Sequence, residues 1–141
     1  MFIPDRQIVG SGTFRTLLGA TASAANGDMS AAIVSDPFDM RQSTAVSLEV
    51  VWGVTGGAPT GTFVIEAAGG SFNPDRPATI NWIDVTALMR PAPTNPAGVA
   101  GKFITDVPIV SGWRAIRLRY TPGGGGAANQ LSVWANGKGG N

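Results

Sequence analysis

From Thr44 to Trp52 apolar side chains recur at every second residue. Val46, Leu48, Val50 and Trp52 share one face, and Ser47, Glu49 and Val51 the other. The same period returns from Trp113 to Tyr120, where Ile116, Leu118 and Tyr120 oppose Trp113, Ala115, Arg117 and Arg119. A period of two places successive side chains on opposite faces of a strand, and one apolar face implies a sheet buried on one side. Shorter runs repeat the pattern: Phe63 and Ile65 alternate with Thr62, Val64 and Glu66, and Leu131, Val133 and Ala135 line one face near the end. Twenty glycines and ten prolines punctuate the chain, so helix signals are scarce. A short helical turn over Thr16–Ala25 is the exception, and Gly19 weakens it.

The elements follow from this punctuation. An extended arm or first strand runs through Phe14 and Leu17 to a polar turn at Asn26-Gly27-Asp28, with a short strand about Ala32–Val34 before Asp36-Pro37. The Thr44–Trp52 strand is expected to pair with Thr62–Ala67 across GVTGGAPTG. A short strand spans Ile80–Val85, a Pro/Gly-rich loop covers 90–101, and another strand runs Lys102–Ile109. The runs either side of TPGGGGAANQ are expected to close the domain as a hairpin. Seven or eight short strands with no convincing helix predict an all-β fold, an antiparallel β-sandwich of jelly-roll or Greek-key type. The division expected is an extended N-terminal arm over 1–12 and a sandwich domain over 13–141.

Composition limits the chemistry. The chain has no cysteine and no histidine, which removes thiol chemistry, disulfides, the commonest general base and the commonest metal ligand. Charged residues are 13% of the chain and the net charge is +1, so neither nucleic acid nor a membrane surface is expected as a partner. Only Lys102 and Lys138 of the ten basic residues are lysine, and arginine favours fixed planar contacts at interfaces. Low charge and many glycines suit a subunit of an assembly, although a GC-rich genome inflates the same residues. No run reaches the roughly 18 apolar residues of a membrane span, and the first twelve residues lack the pattern of a signal peptide.

No catalytic constellation emerges, and no cofactor is expected. Glu49 and Glu66, placed on neighbouring strands, could pair as glycosidase carboxylates do, but both fall on polar faces. Asp36 and Asp39 could join backbone carbonyls around calcium, yet their spacing is that of an ordinary turn. The Gly123–Gly126 run lacks the Lys-Ser/Thr and the helix of a phosphate loop and reads as a flexible tip. Trp52 ends an apolar strand face and belongs to the core. Trp113 and Trp134 are expected near each other across the terminal hairpin, beside Arg117 and Arg119. That grouping fits a second core layer, a protein-interface hot spot or a sugar-stacking platform. Arg114, Arg117 and Arg119 are expected to pair with acidic residues across strands.

The order LEVVW, GTFVIEA, NWIDV, GWRAIRLRYTPGGGG, LSVWANGKG over residues 44–139 resembles small β-sandwich virion proteins of tailed bacteriophages. The resemblance implies a structural, non-enzymatic subunit of the phage head, of capsid decoration or minor capsid type. It implies assembly in the host cytoplasm, the major capsid protein as partner, and a homo-oligomer, a trimer among the arrangements shell symmetry allows. The contacts expected are Phe2, Ile3, Ile8 and Val9 of the arm, with Trp113, Arg117, Arg119 and Trp134; the loop 90–101 is expected to reach neighbours too. The competing readings are a carbohydrate-binding module for host attachment and a head–tail adaptor or tail component.

Overall fold

In the computed structural model the described residues are 6–9, 27–41, 43–53, 57–108, 112–125 and 129–139. They form nine strands: β1 (Arg6–Val9), β2 (Ile33–Val34), β3 (Phe38–Asp39), β4 (Ser43–Trp52), β5 (Thr60–Ala68), β6 (Ile83–Asp84), β7 (Gly101–Val107), β8 (Ala115–Gly124) and β9 (Leu131–Gly139). Two 3-10 turns, Pro77–Thr79 and Thr86–Leu88, are the only helical pieces among the described residues. Phe2, Ile3 and the segment Thr16–Ala25 lie outside them.

The strands build two antiparallel sheets. The first has the order β1-β9-β4-β7; the second runs β2-β8-β5-β6, with β3 also on β8. The alternating apolar residues meet between the sheets. Val46, Leu48, Val50, Trp52, Leu131, Val133 and Ala135 face Phe63, Ile65, Ala67, Ile116, Leu118 and Tyr120 in one buried cluster. The inner faces therefore match the two-residue pattern of the sequence.

The strand partners do not. β4 pairs with β7 and β9, while β5 pairs with β8 and β6, so the expected β4–β5 hairpin does not form. Likewise β8 and β9 lie in opposite sheets, which replaces the expected terminal hairpin with a crossing between layers. The physical reason is the same in both places. Each strand buries only one face, and two such strands cover each other's apolar side by facing across the core. The connection 53–59 is long enough to span the roughly 10 Å between packed sheets.

The N-terminal segment is the second correction. Residues Arg6–Val9 are a strand on the edge of the first sheet, not an arm without a local partner. A bulge between Gln7 and Val9 puts one extra residue opposite β9, and Ile8 and Val9 are both fully buried. They pack in the core and are closed to a neighbouring subunit while β1 is in place.

Four aromatic rings occupy one end of the core. Phe63 lies 5.4 Å from Trp52, 5.8 Å from Phe103 and 5.4 Å from Tyr120, all tilted as aromatic pairs prefer. Trp52 Nε1 donates to the Val99 carbonyl at 2.9 Å, and Tyr120 Oη donates to the Thr60 carbonyl at 2.6 Å. Gly101 makes room for the indole: a Cβ there would stand 2.3 Å from Trp52 Cζ2. Gly101→Ala is expected to destabilise the domain by about 1–3 kcal/mol, the usual cost of overpacking. Urea unfolding checks this, and a Trp52→Phe background is expected to relieve part of the loss.

The loop 90–101 is fastened to its own domain. Asn95 Oδ1 accepts from the Phe63 amide, Gly98 N–H donates to the Pro59 carbonyl, and Asp106 N–H donates to the Arg90 carbonyl. Thr105, fully buried, donates its hydroxyl to the Pro91 carbonyl at 2.7 Å. These bonds satisfy backbone groups at the open side of the sandwich.

Tyr120 is the chain's single tyrosine, and burial pushes its pKa above the ordinary value of 10.0. The raised value means that the neutral phenol stabilises the fold below the unfolded pKa, and that this contribution is lost as pH rises through the folded one. With no histidine or cysteine, stability is expected to stay flat from about pH 5 to 9 and to fall above about 10. Phenolate absorbance follows this one group, and Tyr120→Phe is expected to flatten the alkaline limb.

Candidate functional site

The outer face of the second sheet carries a linked group of charged side chains. Register places Glu66 of β5 opposite Arg117 of β8 on one side and Asp84 of β6 on the other. Glu66 accepts from Arg117 Nε at 2.8 Å, and Arg119 Nη2 lies 3.5 Å from its second carboxylate oxygen. The Glu66 side chain is 9% exposed and that of Arg117 18%, against 45% for Arg119. Arg117 also lies over the Trp82 ring, 4.4 Å from its centroid. The result is a self-neutralised strip in which the carboxylate is consumed by its own arginines. Cross-strand pairing with acid, expected for the arginines, is what Arg117 and Arg119 make.

Trp82 reaches this position through a small satellite core. Ala68 and Ala115 pair in register and point outward, small enough for the segment after β5 to fold over them. Phe72, Ile80 and Trp82 cover them, and Arg41 lies over the Phe72 ring at 5.5 Å. Asp84 anchors the turn that follows. It accepts from the Thr86 hydroxyl at 2.7 Å and from the Thr86 N–H at 2.9 Å, and these bonds hold its carboxyl below the usual range.

The remaining predicted residues are dispersed. Trp134 is half-buried on the outer face of the first sheet, where it pairs with Glu49, and Glu49 pairs in turn with Ile104. Ile104 is 56% exposed. Trp113 precedes β8 in the second sheet and packs its half-buried ring against the main core. Trp113 and Trp134 therefore belong to different layers, and the grouping expected across a terminal hairpin is not made. Arg117 finds Trp82 instead, a contact set by the β5–β6 register and not foreshadowed by local spacing.

The carboxylate candidates separate in the same way. Glu49 lies in the first sheet and Glu66 in the second, so they are not on neighbouring strands. Asp39 is held by Arg41, whose Nε lies 2.9 and 3.0 Å from its two oxygens. Burial raises the Asp39 pKa, but the Arg41 side-chain and backbone hydrogen bonds outweigh it and hold the group low. Among the described residues, no three acidic side chains gather as metal ligands. No helix among them is long and apolar enough to cross a membrane.

Comparison with family models, with curated proteins and with solved structures returns no match to this chain. The functional reading therefore rests on the residues and their arrangement.

Proposed function

We propose that this chain is a structural virion protein of a tailed bacteriophage, a capsid decoration subunit that seats on the major capsid lattice and stabilises the head. The observation that carries the reading is the strand order. With β2 and β3 counted as one interrupted strand, the sheets read first-eighth-third-sixth and second-seventh-fourth-fifth. We read that interleaving as a jelly roll, an architecture used by capsid and lectin domains. Fold alone does not assign a role, so the surface has to choose.

The surface favours the structural reading. The buried carboxylate Glu66 is neutralised by arginines, and the two tryptophans that could make a sugar platform stand in different layers. The row Trp134–Glu49–Ile104 gives the first sheet a partly apolar outer face suited to a flat protein contact. In this account the subunit acts without catalysis or cofactor. It stabilises the shell by mass action, binding the assembled lattice in preference to the dissociated one. It is made in the host cytoplasm and ends on the capsid surface, with the major capsid protein and further copies of itself as neighbours.

The test uses particles that lack the protein. Wild-type chain added to them is expected to bind saturably and to raise their thermal disruption temperature. Trp134→Ala with Ile104→Asp is expected to leave the fold intact and weaken binding tenfold or more, about 1.4 kcal/mol or above. No binding by the wild-type chain sinks the decoration role.

A further inference from the structure

The edges of the two sheets are not alike. β1 is four residues long and bulged against β9, and β2, β3 and β6 have two residues each. β7 has seven, in unbroken register with β4 from Gly101 to Val107. Short or bulged edges resist pairing with another chain, and a long regular one invites it. At one end of β7, Asp106 N–H donates to the Arg90 carbonyl at 2.9 Å, away from β4. Backbone groups alternate sides along a strand, so the N–H and C=O of Ile104 and Lys102 point to the same open edge. Among the described residues these groups have no hydrogen-bond partner. The loop beyond Arg90 leaves them unpaired by turning to the second sheet, where Asn95 Oδ1 accepts from the Phe63 N–H and Gly98 N–H donates to the Pro59 carbonyl.

The side chains along this edge select the occupant. Lys102, Ile104 and Asp106 stand exposed on the outer face of the sheet. Neither Lys102 nor Asp106 has an ion-pair partner among the described residues. The unpaired run from Lys102 to Ile104 is centred on Phe103. A second β7 laid antiparallel about a two-fold axis at Phe103 sets Lys102 of each copy opposite Ile104 of the other. Both become hydrogen-bonded pairs, in which every unpaired N–H meets an unpaired C=O. The lysine stem covers the exposed isoleucine, and its ammonium lies on the diagonal to the second copy's Asp106. The pairing stops short of Asp106, where Arg90 already fills the edge. Any extended chain could use the backbone bonds; the order lysine, isoleucine, aspartate is complementary to a second β7.

We propose that two copies of this chain join through β7, antiparallel about a two-fold axis at Phe103, so that the four-stranded sheet of one continues into that of the other. Such an interface is isologous and closes on itself. It covers little area, so the association is weak in free solution. The inference does not rest on the capsid reading. Its test leaves Trp134 and Ile104 untouched, so either reading can fail while the other stands.

The test is amide hydrogen exchange of the full chain, read by NMR from about 10 μM to about 1 mM protein at low salt. As concentration rises, the Lys102 and Ile104 amides are expected to slow saturably while translational diffusion falls. Lys102→Glu and Asp106→Lys are each expected to weaken the association about tenfold or more, because each sets like charges side by side at both ends of the pairing. An equimolar mixture of the two variants is expected to associate about as tightly as wild type, since each then offers the other the opposite charge. Urea midpoints matching wild type certify that both variants are folded. The proposal is overturned if the two amides exchange alike at all concentrations, if the copies associate with those amides unprotected, or if the mixture associates no better than either variant alone.

Discussion

Ile8→Ala is expected to destabilise the domain by about 2–4 kcal/mol, and Ile8→Asp to prevent folding. Ile8 and the adjacent Val9 are fully buried in the main core although they belong to a four-residue edge strand. Truncating Ile8 removes its transfer free energy and leaves a cavity that the first sheet cannot readily collapse upon. An aspartate there would bring an unpaired charge between the sheets. A loss of this size is a large share of the roughly 5–15 kcal/mol that holds a domain together. Urea unfolding measures the alanine variant, and soluble yield with far-UV circular dichroism the aspartate one. An unchanged midpoint for Ile8→Ala would mean that β1 contributes no stability. The expectation of a free arm predicts that unchanged midpoint, so the variant separates the two views of the N-terminus.

The second large effect is expected at Glu66. Glu66→Ala leaves Arg117 half-buried over Trp82 with its nearest counter-charge removed, at a cost of about 2–4 kcal/mol. Arg119 contributes little to that figure, because it is far more exposed and its ion pair longer. Glu66→Gln keeps one acceptor and should fall between alanine and wild type. Replacing the pair together, Glu66→Leu with Arg117→Leu, should recover much of the loss, since what hurts is the unpaired charge more than the missing bond. Unfolding midpoints rank these variants, and adding the single variants Glu66→Leu and Arg117→Leu completes a double-mutant cycle with the wild type and the double variant. A Glu66→Ala loss below about 0.5 kcal/mol would show that water already supports Arg117.

What could be read without the structure was the face each residue takes, and what could not was the neighbour it meets. The alternation in Thr44–Trp52 and Trp113–Tyr120 placed Val46, Leu48, Ile116 and Leu118 inward, because period two admits no other arrangement. The same alternation is silent about whether the next strand in sequence lies beside its predecessor or across the core. That one ambiguity accounts for both absent hairpins and for the separation of Trp113 from Trp134. Arg6–Val9 resembled an arm because it is short and its bulge breaks the alternation, so Ile8 and Val9 face inward in succession. The Arg117–Trp82 contact depends on how residues 69–82 fold over Ala68 and Ala115, information spread across three segments of chain.

The central claim, that this sandwich is a lattice-bound capsid subunit, is tested most directly by quantitative mass spectrometry of particles produced from the genome that carries this sequence. The account predicts a copy number of about one per one to three major capsid subunits, as a position repeated by shell symmetry requires. A few copies per particle would place the chain at the portal, tail or fibre, and its absence from purified particles would contradict the virion assignment altogether.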